Sequence, residues 1–291
     1  MWNQIKKNKF AYFCIAPFFI FYIIFDLGPI IFSFILSFCK WGLFGQRKFL
    51  GLANYYDLLS DSNFLASVVN TLCYWSFIVP IIVFVSLVIA TLMNLKNTRM
   101  KSTFRFIYIL PYITSPVLMA VLCRILFATE GGSLNVVLQS VLGIKSIPWL
   151  TSNSFSKLPV SFLSIWMTLG YFILIMLGGL QRIQPEIYEA AIIDGANQFQ
   201  LFWKITFPLM KTIILFVLII CTINTLRIFA VPFILTEGGP QWSSAPLSMI
   251  LYRNGFEYFR LGYASSVAVV MFLIIGTISF LQLKLFSLRR Q

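Results

Sequence analysis

The chain has 291 residues, of which 59% are hydrophobic and 11% are charged. Its mean hydropathy of +0.88 and its low charge content exclude an ordinary soluble protein, in which about 25% of residues are charged, and indicate an integral membrane protein. The net charge of +13 is spread between apolar runs, which argues against nucleic-acid binding, and the lack of histidine removes the commonest general base and metal ligand.

A helix needs about 20 apolar residues to cross a bilayer. The apolar runs predict an all-α protein with about six membrane-spanning helices, near residues 10–38, 65–95, 104–128, 158–180, 212–235 and 263–285. The first run is too long for a signal peptide and lacks a small-residue cleavage site, so we expect a retained anchor helix. Pro111 and Pro116 predict a break near the start of the third span.

Six spans place both termini on one side of the membrane. Lys and Arg are more frequent at the termini and in the second and fourth connections than in the other three, and an excess of these residues marks cytoplasmic segments. We therefore expect cytoplasmic termini. The predicted organisation is an N-terminal helix with an outer loop (1–64), a transmembrane core (65–285) that includes the cytoplasmic loop 182–211, and a cytoplasmic tail (286–291).

Two outer loops contain short amphipathic patterns, near residues 134–142 and 247–256. Such helices lie on a membrane surface or present a face to a partner protein. We see no internal repeat, which argues against a secondary transporter built from inverted repeats.

The 182–211 loop contains several signals for short helices. Pro185 suits the first position of a helix, and Gly195 suits the left-handed residue that follows its last turn. Asn197 and Gln200 form a capping-box pattern for a second helix. The first helix is too short to cross a bilayer, so the sequence predicts a helix, a glycine turn and a helix outside the hydrocarbon.

Two functions of this loop remain open from the residues alone. It is either a docking element for another protein or an interfacial hairpin that only connects two spans. Catalysis is disfavoured, because Glu186 and Glu189 have no nucleophile or pocket beside them in the sequence pattern.

Polar residues inside spans are costly in hydrocarbon and mark functional sites. Asn224 and Arg227 in the fifth span are candidates for a translocation path, with a structural ion pair as the alternative for Arg227. Trp166 and Tyr171 could stack on a sugar ring, although packing is the alternative for both. Near the outer end of its span, Arg124 is expected to extend toward the membrane surface.

The 182–211 loop also resembles the EAA loop of permease subunits of binding-protein-dependent ABC importers. The resemblance rests on nine positions at the spacing of that motif: Glu189, Ala190, Ala191, Asp194, Gly195, Ala196, Phe202, Ile205 and Pro208. Stretches such as 51–55 and 235–240 extend it to the sugar-permease branch, similar to the first permease subunits of maltose-type and glycerol-3-phosphate-type importers. Ala230 departs from the branch, where many members have Asp.

The resemblance implies a type I importer permease fold in a bacterial cytoplasmic membrane. The nine loop residues would couple the chain to two copies of a cytoplasmic ATPase, which would bind ATP and Mg²⁺, while this chain would bind no cofactor or metal. A second, homologous permease subunit would complete the translocation path across the lipid membrane. An extracytoplasmic solute-binding protein would dock at Gly238, Gly239 and Pro240. The implied cargo is a mono- or oligosaccharide, with glycerol-3-phosphate or another polyol derivative as the alternative.

Two other classes of function compete with this one. A secondary transporter or channel would work without an ATPase, and the predicted docking loop argues against it. A membrane-embedded enzyme would need paired acidic residues or a metal cluster near the end of a span, and the sequence has neither pattern. The chain also lacks a phosphate-binding loop of the GxxxxGK[ST] type, so we expect a transport subunit with no catalytic residue of its own.

Overall fold

A computed structural model describes residues 9–42, 47–94 and 101–287. The chain forms two compact units. Of the described residues, one unit contains those up to Asp61 together with Leu251–Phe272, and the other contains those within Ser62–Ile250 together with residues 273–287.

The first unit begins with a long, apolar helical segment. Its elements are, in chain order, α1 (Lys9–Phe21), a π-helical turn (Tyr22–Leu27), α2 (Gly28–Leu36), β1 (Cys39–Lys40), β2 (Lys48–Phe49) and α3 (Ala53–Ser60). The π-helical turn lies just before Pro29, where the N–H of Gly28 donates to the carbonyl of Ile23. The strands pair antiparallel, and the buried Asn54 side chain donates to the carbonyls of Ser37 and Cys39 at 2.8 and 2.9 Å.

The helices that follow account for most of the remaining chain. They are α4 (Ser62–Asn94), α5 (Lys101–Ile113), α6 (Pro116–Leu126), α7 (Ser133–Leu142), α8 (Lys157–Leu180), α9 (Pro185–Ile193), α10 (Gln198–Gln200), a π-helical turn (Leu201–Thr206), α11 (Phe207–Leu209), α12 (Lys211–Leu226), α13 (Ala230–Leu235), α14 (Leu247–Tyr252), a π-helical turn (Arg253–Glu257) and α15 (Leu261–Ser287).

Five helical segments in the described residues are long and apolar enough to cross a membrane: Tyr12–Leu36, Ser62–Asn94, Lys157–Leu180, Lys211–Leu235 and Leu261–Phe286. A sixth span is formed if the bent pair Thr103–Ile113 and Pro116–Leu126 is counted as one. The predicted all-α membrane architecture is confirmed, and these segments correspond to the six predicted spans.

The break in the third span is not near its start, as the sequence predicted, but midway along it. The two halves are bent by 91° at Thr114 and Ser115. Ser115 has an extended ψ of 125° because the ring of Pro116 disfavours helical geometry in the preceding residue. Pro111, by contrast, lies within α5 without ending it.

The core of the second unit surrounds α8, in which Val160, Leu163, Ile173 and Met176 are fully buried. Gly170 allows α8 to approach α5 closely, since a Cβ atom at this position would overlap the carbonyl oxygen of Tyr108. The α5–α8 contact therefore depends on the absence of a side chain at Gly170.

Both predicted amphipathic segments are helical, but they differ in burial. In α7, Val136, Val137 and Val141 are exposed. In the second segment, Leu247 and Met249 of α14 are buried, whereas Phe256 in the π-helical turn that follows is exposed, so the expectation of a surface helix was wrong for α14 itself. An alternating apolar pattern on a short helix does not show whether protein or solvent covers its apolar face.

Candidate functional site

The first arm of the 182–211 loop is α9, which begins at Pro185 and ends in a left-handed glycine turn. Gly195 has a φ of +82°, a conformation that strains any residue with a Cβ atom. The N–H of Ala196 donates to the carbonyl of Ala191 at 2.9 Å, and that of Gly195 donates to Ile192 at 3.0 Å. This pair of hydrogen bonds is the Schellman motif, in which the turn satisfies carbonyls that the helix end leaves free.

The second arm begins at Asn197 with the predicted capping box. The N–H of Gln200 donates to the Asn197 side chain and the N–H of Asn197 donates to the Gln200 side chain, both at 2.9 Å. The chain then continues through the π-helical turn Leu201–Thr206 into α11. The predicted order of helix, glycine turn and helix is confirmed.

Five of the nine predicted coupling residues line one concave surface of about 340 Å³ in this loop: Ala191, Asp194, Gly195, Ala196 and Ile205. Lys204 and Gln200 complete its lining. The other four residues lie outside it: Glu189, Ala190 and Pro208 are exposed, and Phe202 packs against the core. The loop therefore presents a concave surface lined by small and charged residues, while the ring of Phe202 anchors the loop to the core.

Two apolar residues of this loop are largely exposed. Ile193 is 86% exposed and Phe199 is 71% exposed. Because exposed apolar surface next to a concave, polar patch marks an interaction site, the arrangement suits a protein surface that covers the loop.

The base of the loop is held close to the spans that it connects. A Cβ atom on Gly179, near the end of α8, would lie 2.9 Å from a side-chain atom of Ile213 and 3.0 Å from one of Met210. This close packing attaches the loop to both α8 and α12.

A cavity of about 250 Å³ lies in the second unit, away from the loop in sequence. Polar side chains from three helices contribute to its lining, namely Tyr112, Ser164, Thr168, Asn224 and Thr225. Phe172 and Phe229 contribute rings, and among the described side chains that line the cavity none is charged. The lining can therefore offer hydroxyl and amide groups beside apolar and aromatic surface to a neutral ligand.

The four residues predicted for the path are placed differently. Asn224 lines the cavity. Tyr171 does not, but its ring stacks on that of the lining residue Tyr112, with centroids 4.8 Å apart. Trp166 and Arg227 are exposed and lie outside the lining, and Arg227 directly follows the last residue of α12.

Sequence reasoning missed Ser164 and Thr168, which are four residues apart on α8 and share a face. Each hydroxyl donates to the carbonyl four residues earlier, at 2.6 and 2.7 Å, so each oxygen can still accept a hydrogen bond. Hydroxyl pairs are common in spans, and the spacing alone would not have distinguished this pair.

Two helix breaks border the cavity. One is the bend between α5 and α6, flanked by Tyr112 and Pro116, and the other is the break between α12 and α13, where Ile228 and Phe229 line the cavity. Irregular backbone at membrane depth is tolerated where it is buried in protein or lines a cavity, and both breaks meet this condition.

The segment after α13 contains Gly238, Gly239 and Pro240 and is fixed by several hydrogen bonds. Asn70 donates to the carbonyls of Trp242 and Ala245 at 2.7 and 3.0 Å, and Tyr74 donates to the carbonyl of Ser244 at 2.9 Å. A side chain at Gly238 would collide with Met249. The turn is therefore an ordered part of the second unit.

Arg124 does not simply extend toward the membrane surface, as expected from its position. Its guanidinium pairs with Glu237 at 2.8 Å and donates to the carbonyl of Leu235 at 3.4 Å. The pair links α6 to the segment after α13.

Comparison with known proteins decides which family has this arrangement. A family described as "Binding-protein-dependent transport system inner membrane component" matches residues 62–291, which include the loop, the cavity and five of the spans. The chain belongs to this family. Its members are transport subunits and not catalytic enzymes, with the ATPase activity in a partner.

Individual relatives match the permease over nearly its whole length. It is 33% identical over 289 residues to the probable ABC transporter permease protein YurN of Bacillus subtilis strain 168, covering 98% of each chain. It is 31% identical to the arabinooligosaccharides transport system permease protein AraP of the same strain, covering 98% of this chain and 91% of AraP.

A solved structure shares the fold. The crystal structure of a bacterial ABC transporter involved in import of the acidic polysaccharide alginate aligns with a TM-score of 0.84 at 22% identity, covering 100% of this chain and 99% of the other. The family match and the relatives confirm the resemblance to importer permeases deduced from the sequence.

Proposed function

We propose that this chain forms half of the translocation path of an ATP-driven importer for a neutral carbohydrate, and that the 182–211 loop couples it to a separate ATPase. The observation that carries the coupling assignment is the helix-turn-helix of this loop, which the Schellman motif and the capping box hold in place. It gathers Ala191, Asp194, Gly195, Ala196 and Ile205 around one exposed concavity, a shape that can receive a protrusion of another protein.

The roles within the loop follow from their positions. Glu189 is exposed, two residues before the lining residue Ala191, and can form an ion pair with a basic residue of the ATPase. Ala190 is small and exposed, which permits close approach of the partner surface. Phe202 and Pro208 support the second arm, and Gly195 allows the turn between the arms.

The cargo assignment depends on the inner cavity. A charged ligand in a membrane interior needs a compensating charge, and the described lining has no charged side chain. This favours a neutral mono- or oligosaccharide over glycerol-3-phosphate. The names of relatives support a carbohydrate cargo without fixing its charge, since AraP is named for arabinooligosaccharides and the importer that shares the fold takes up an acidic polysaccharide.

The remaining parts of the transporter are proposed from the family. A second permease subunit would close the path from the other side, two ATPase copies would bind ATP and Mg²⁺ on the cytoplasmic side, and a solute-binding protein would dock near Gly238, Gly239 and Pro240. The termini and the 182–211 loop would face the cytoplasm of a bacterium, in accord with the excess of Lys and Arg in those segments.

In the transport cycle, nucleotide binding would favour one state of the path and release of hydrolysis products the other. This chain would contribute Asn224, Ser164 and Thr168 as hydrogen-bonding groups for sugar hydroxyls. The ring of Tyr112, supported by Tyr171, would present an apolar face to the C–H surface of a sugar.

The complete assembly tests this proposal when reconstituted in vesicles. ATP-dependent uptake is measured for a neutral oligosaccharide, for a uronate-containing oligosaccharide and for glycerol-3-phosphate, each with and without the ATPase. We expect uptake of a neutral sugar that requires ATP. Uptake driven by an ion gradient without the ATPase would contradict the proposal, and uptake of the charged compounds alone would contradict the cargo assignment.

A further inference from the structure

One side-chain hydrogen bond joins the two arms of the 182–211 loop. The hydroxyl of Tyr188, on α9, lies 3.1 Å from the hydroxyl of Thr206, at the end of the π-helical turn. Tyr188 directly precedes Glu189, and 18 residues of chain separate the two hydroxyls. The contact therefore links the arm that carries the acidic residue to the arm that leads into α12.

The direction of this hydrogen bond follows from the surroundings of Thr206. Thr206 is buried, and its hydroxyl donates to the carbonyl of Leu201 at 3.2 Å. Because a threonine hydroxyl has one proton, it can only accept from Tyr188. The Tyr188 hydroxyl therefore donates to the Thr206 hydroxyl, which in turn donates to the backbone of the π-helical turn.

This contact lies between two other attachments of the loop, one at its tip and one at its base, and it fixes the angle between the arms. At the tip, the Schellman motif and the capping box fix residues 191–200. At the base, Gly179 packs against Met210 and Ile213. Between tip and base, the π-helical turn has i→i−5 hydrogen bonds that leave its backbone less regular than an α-helix.

We propose that Tyr188 is a positioning residue that keeps the two arms at a constant angle, so that a push on the loop reaches α8 and α12 together. This inference rests on the proposed coupling function. Without the hydroxyl pair, the second arm would yield at the π-helical turn, and movement of the docked ATPase would be absorbed within the loop.

The first test measures amide hydrogen exchange on the isolated permease. In Tyr188→Phe, we expect the amides of residues 201–207 to exchange about fivefold faster, the effect of losing one hydrogen bond. Thr206→Val also loses the hydrogen bond to the carbonyl of Leu201 and should show at least this effect. Thr206→Ser keeps the hydroxyl and should exchange as the wild type does. Tyr258→Phe, at an exposed tyrosine outside the loop, is the matched control.

The second test uses the complete complex in nanodiscs with Mg·ATP and vanadate as the probe. Nucleotide trapping should change the exchange of residues 224–231 in the wild type. Tyr188→Phe should retain the bound ATPase but lose most of this change, and Thr206→Ser should show the change as the wild type does. The double variant Tyr188→Phe with Thr206→Val should be no worse than Thr206→Val alone.

Unchanged exchange at residues 201–207 in Tyr188→Phe would overturn the inference, as would additive effects of the two substitutions or an unaltered response to trapping. Failure of the wild-type chain to bind any ATPase would instead contradict the coupling function. The exchange measurement on the isolated chain still decides for or against the contact in that case.

Discussion

The 182–211 loop and the inner cavity are built in different ways. The tip of the loop is held by contacts between residues close in sequence, such as the capping box of Asn197 and Gln200. The cavity is lined by residues from Ile78 to Val231 and exists only because four spans pack together. If the proposed functions are right, coupling to a partner and recognition of a cargo depend on separate sets of interactions, which substitutions should separate.

The largest effect is expected for Gly170→Ala, which tests the dependence of the cavity on packing between spans. The new Cβ atom would overlap the carbonyl of Tyr108 and push α5 away from α8. Such overpacking costs about 1–3 kcal/mol, and more where backbone atoms overlap, so the thermal unfolding temperature in detergent should fall and transport should be lost.

Gly178→Ala is the matched control for that experiment. It is the same substitution on the same helix, but its Cβ atom would meet nothing within 4 Å. We expect unchanged or slightly higher stability, since alanine is the better helix former. Equal effects of the two variants would show that the close approach at Gly170 is not important.

The next largest effect is expected for Gly195→Ala, which disturbs the loop and leaves the cavity intact. A φ of +82° costs a residue with a Cβ atom about 1–2 kcal/mol. ATPase affinity, measured with the purified permease, should weaken by about tenfold, while sugar binding should not change. Gly195→Asn should be milder, because asparagine tolerates left-handed geometry, and equal losses in both variants would contradict this explanation.

Asn224→Ala should have the opposite effect: sugar uptake should weaken while ATPase association stays normal. It removes an amide from the cavity lining without altering the loop, and loss of one hydrogen bond to the cargo costs about 1 kcal/mol. The KM for uptake should rise about fivefold with normal ATPase association. Arg227→Ala, outside the lining, is the comparison, and a larger effect there would place the path elsewhere.

The smallest effect is expected for Glu237→Gln, which removes the ion pair with Arg124. Both side chains are largely exposed, at 48% and 70%, and such pairs contribute about 0–1 kcal/mol. The unfolding temperature should shift by a few degrees at most, and less at high salt. A large loss of stability would mean that the pair has a structural role that its exposure does not indicate.

The difference between the two regions also explains what the sequence could predict. Pro185, Gly195 and Asn197 each constrain the backbone locally, so the helix-turn-helix of the loop could be deduced from residue types alone. The six spans were likewise recognisable from the length of their apolar runs.

The cavity could not be deduced in the same way. Asn224 was found because an amide inside a span is costly, whereas Ser164, Thr168 and Tyr112 are ordinary residues in spans. Their common position depends on how α5, α8 and α12 pack, which is a long-range property. The burial of α14 and the pairing of Arg124 with Glu237 were missed for the same reason.

The most direct test of the coupling function is the association of the ATPase with Glu189→Arg. The variant is co-expressed with its ATPase and second permease, and the amount of ATPase that co-purifies is measured, with Glu130→Arg as a charge reversal at an exposed residue outside the loop. We predict that Glu189→Arg loses most of the bound ATPase and that Glu130→Arg retains it. Normal ATPase association and normal ATP-driven uptake in Glu189→Arg would contradict the assignment of this loop.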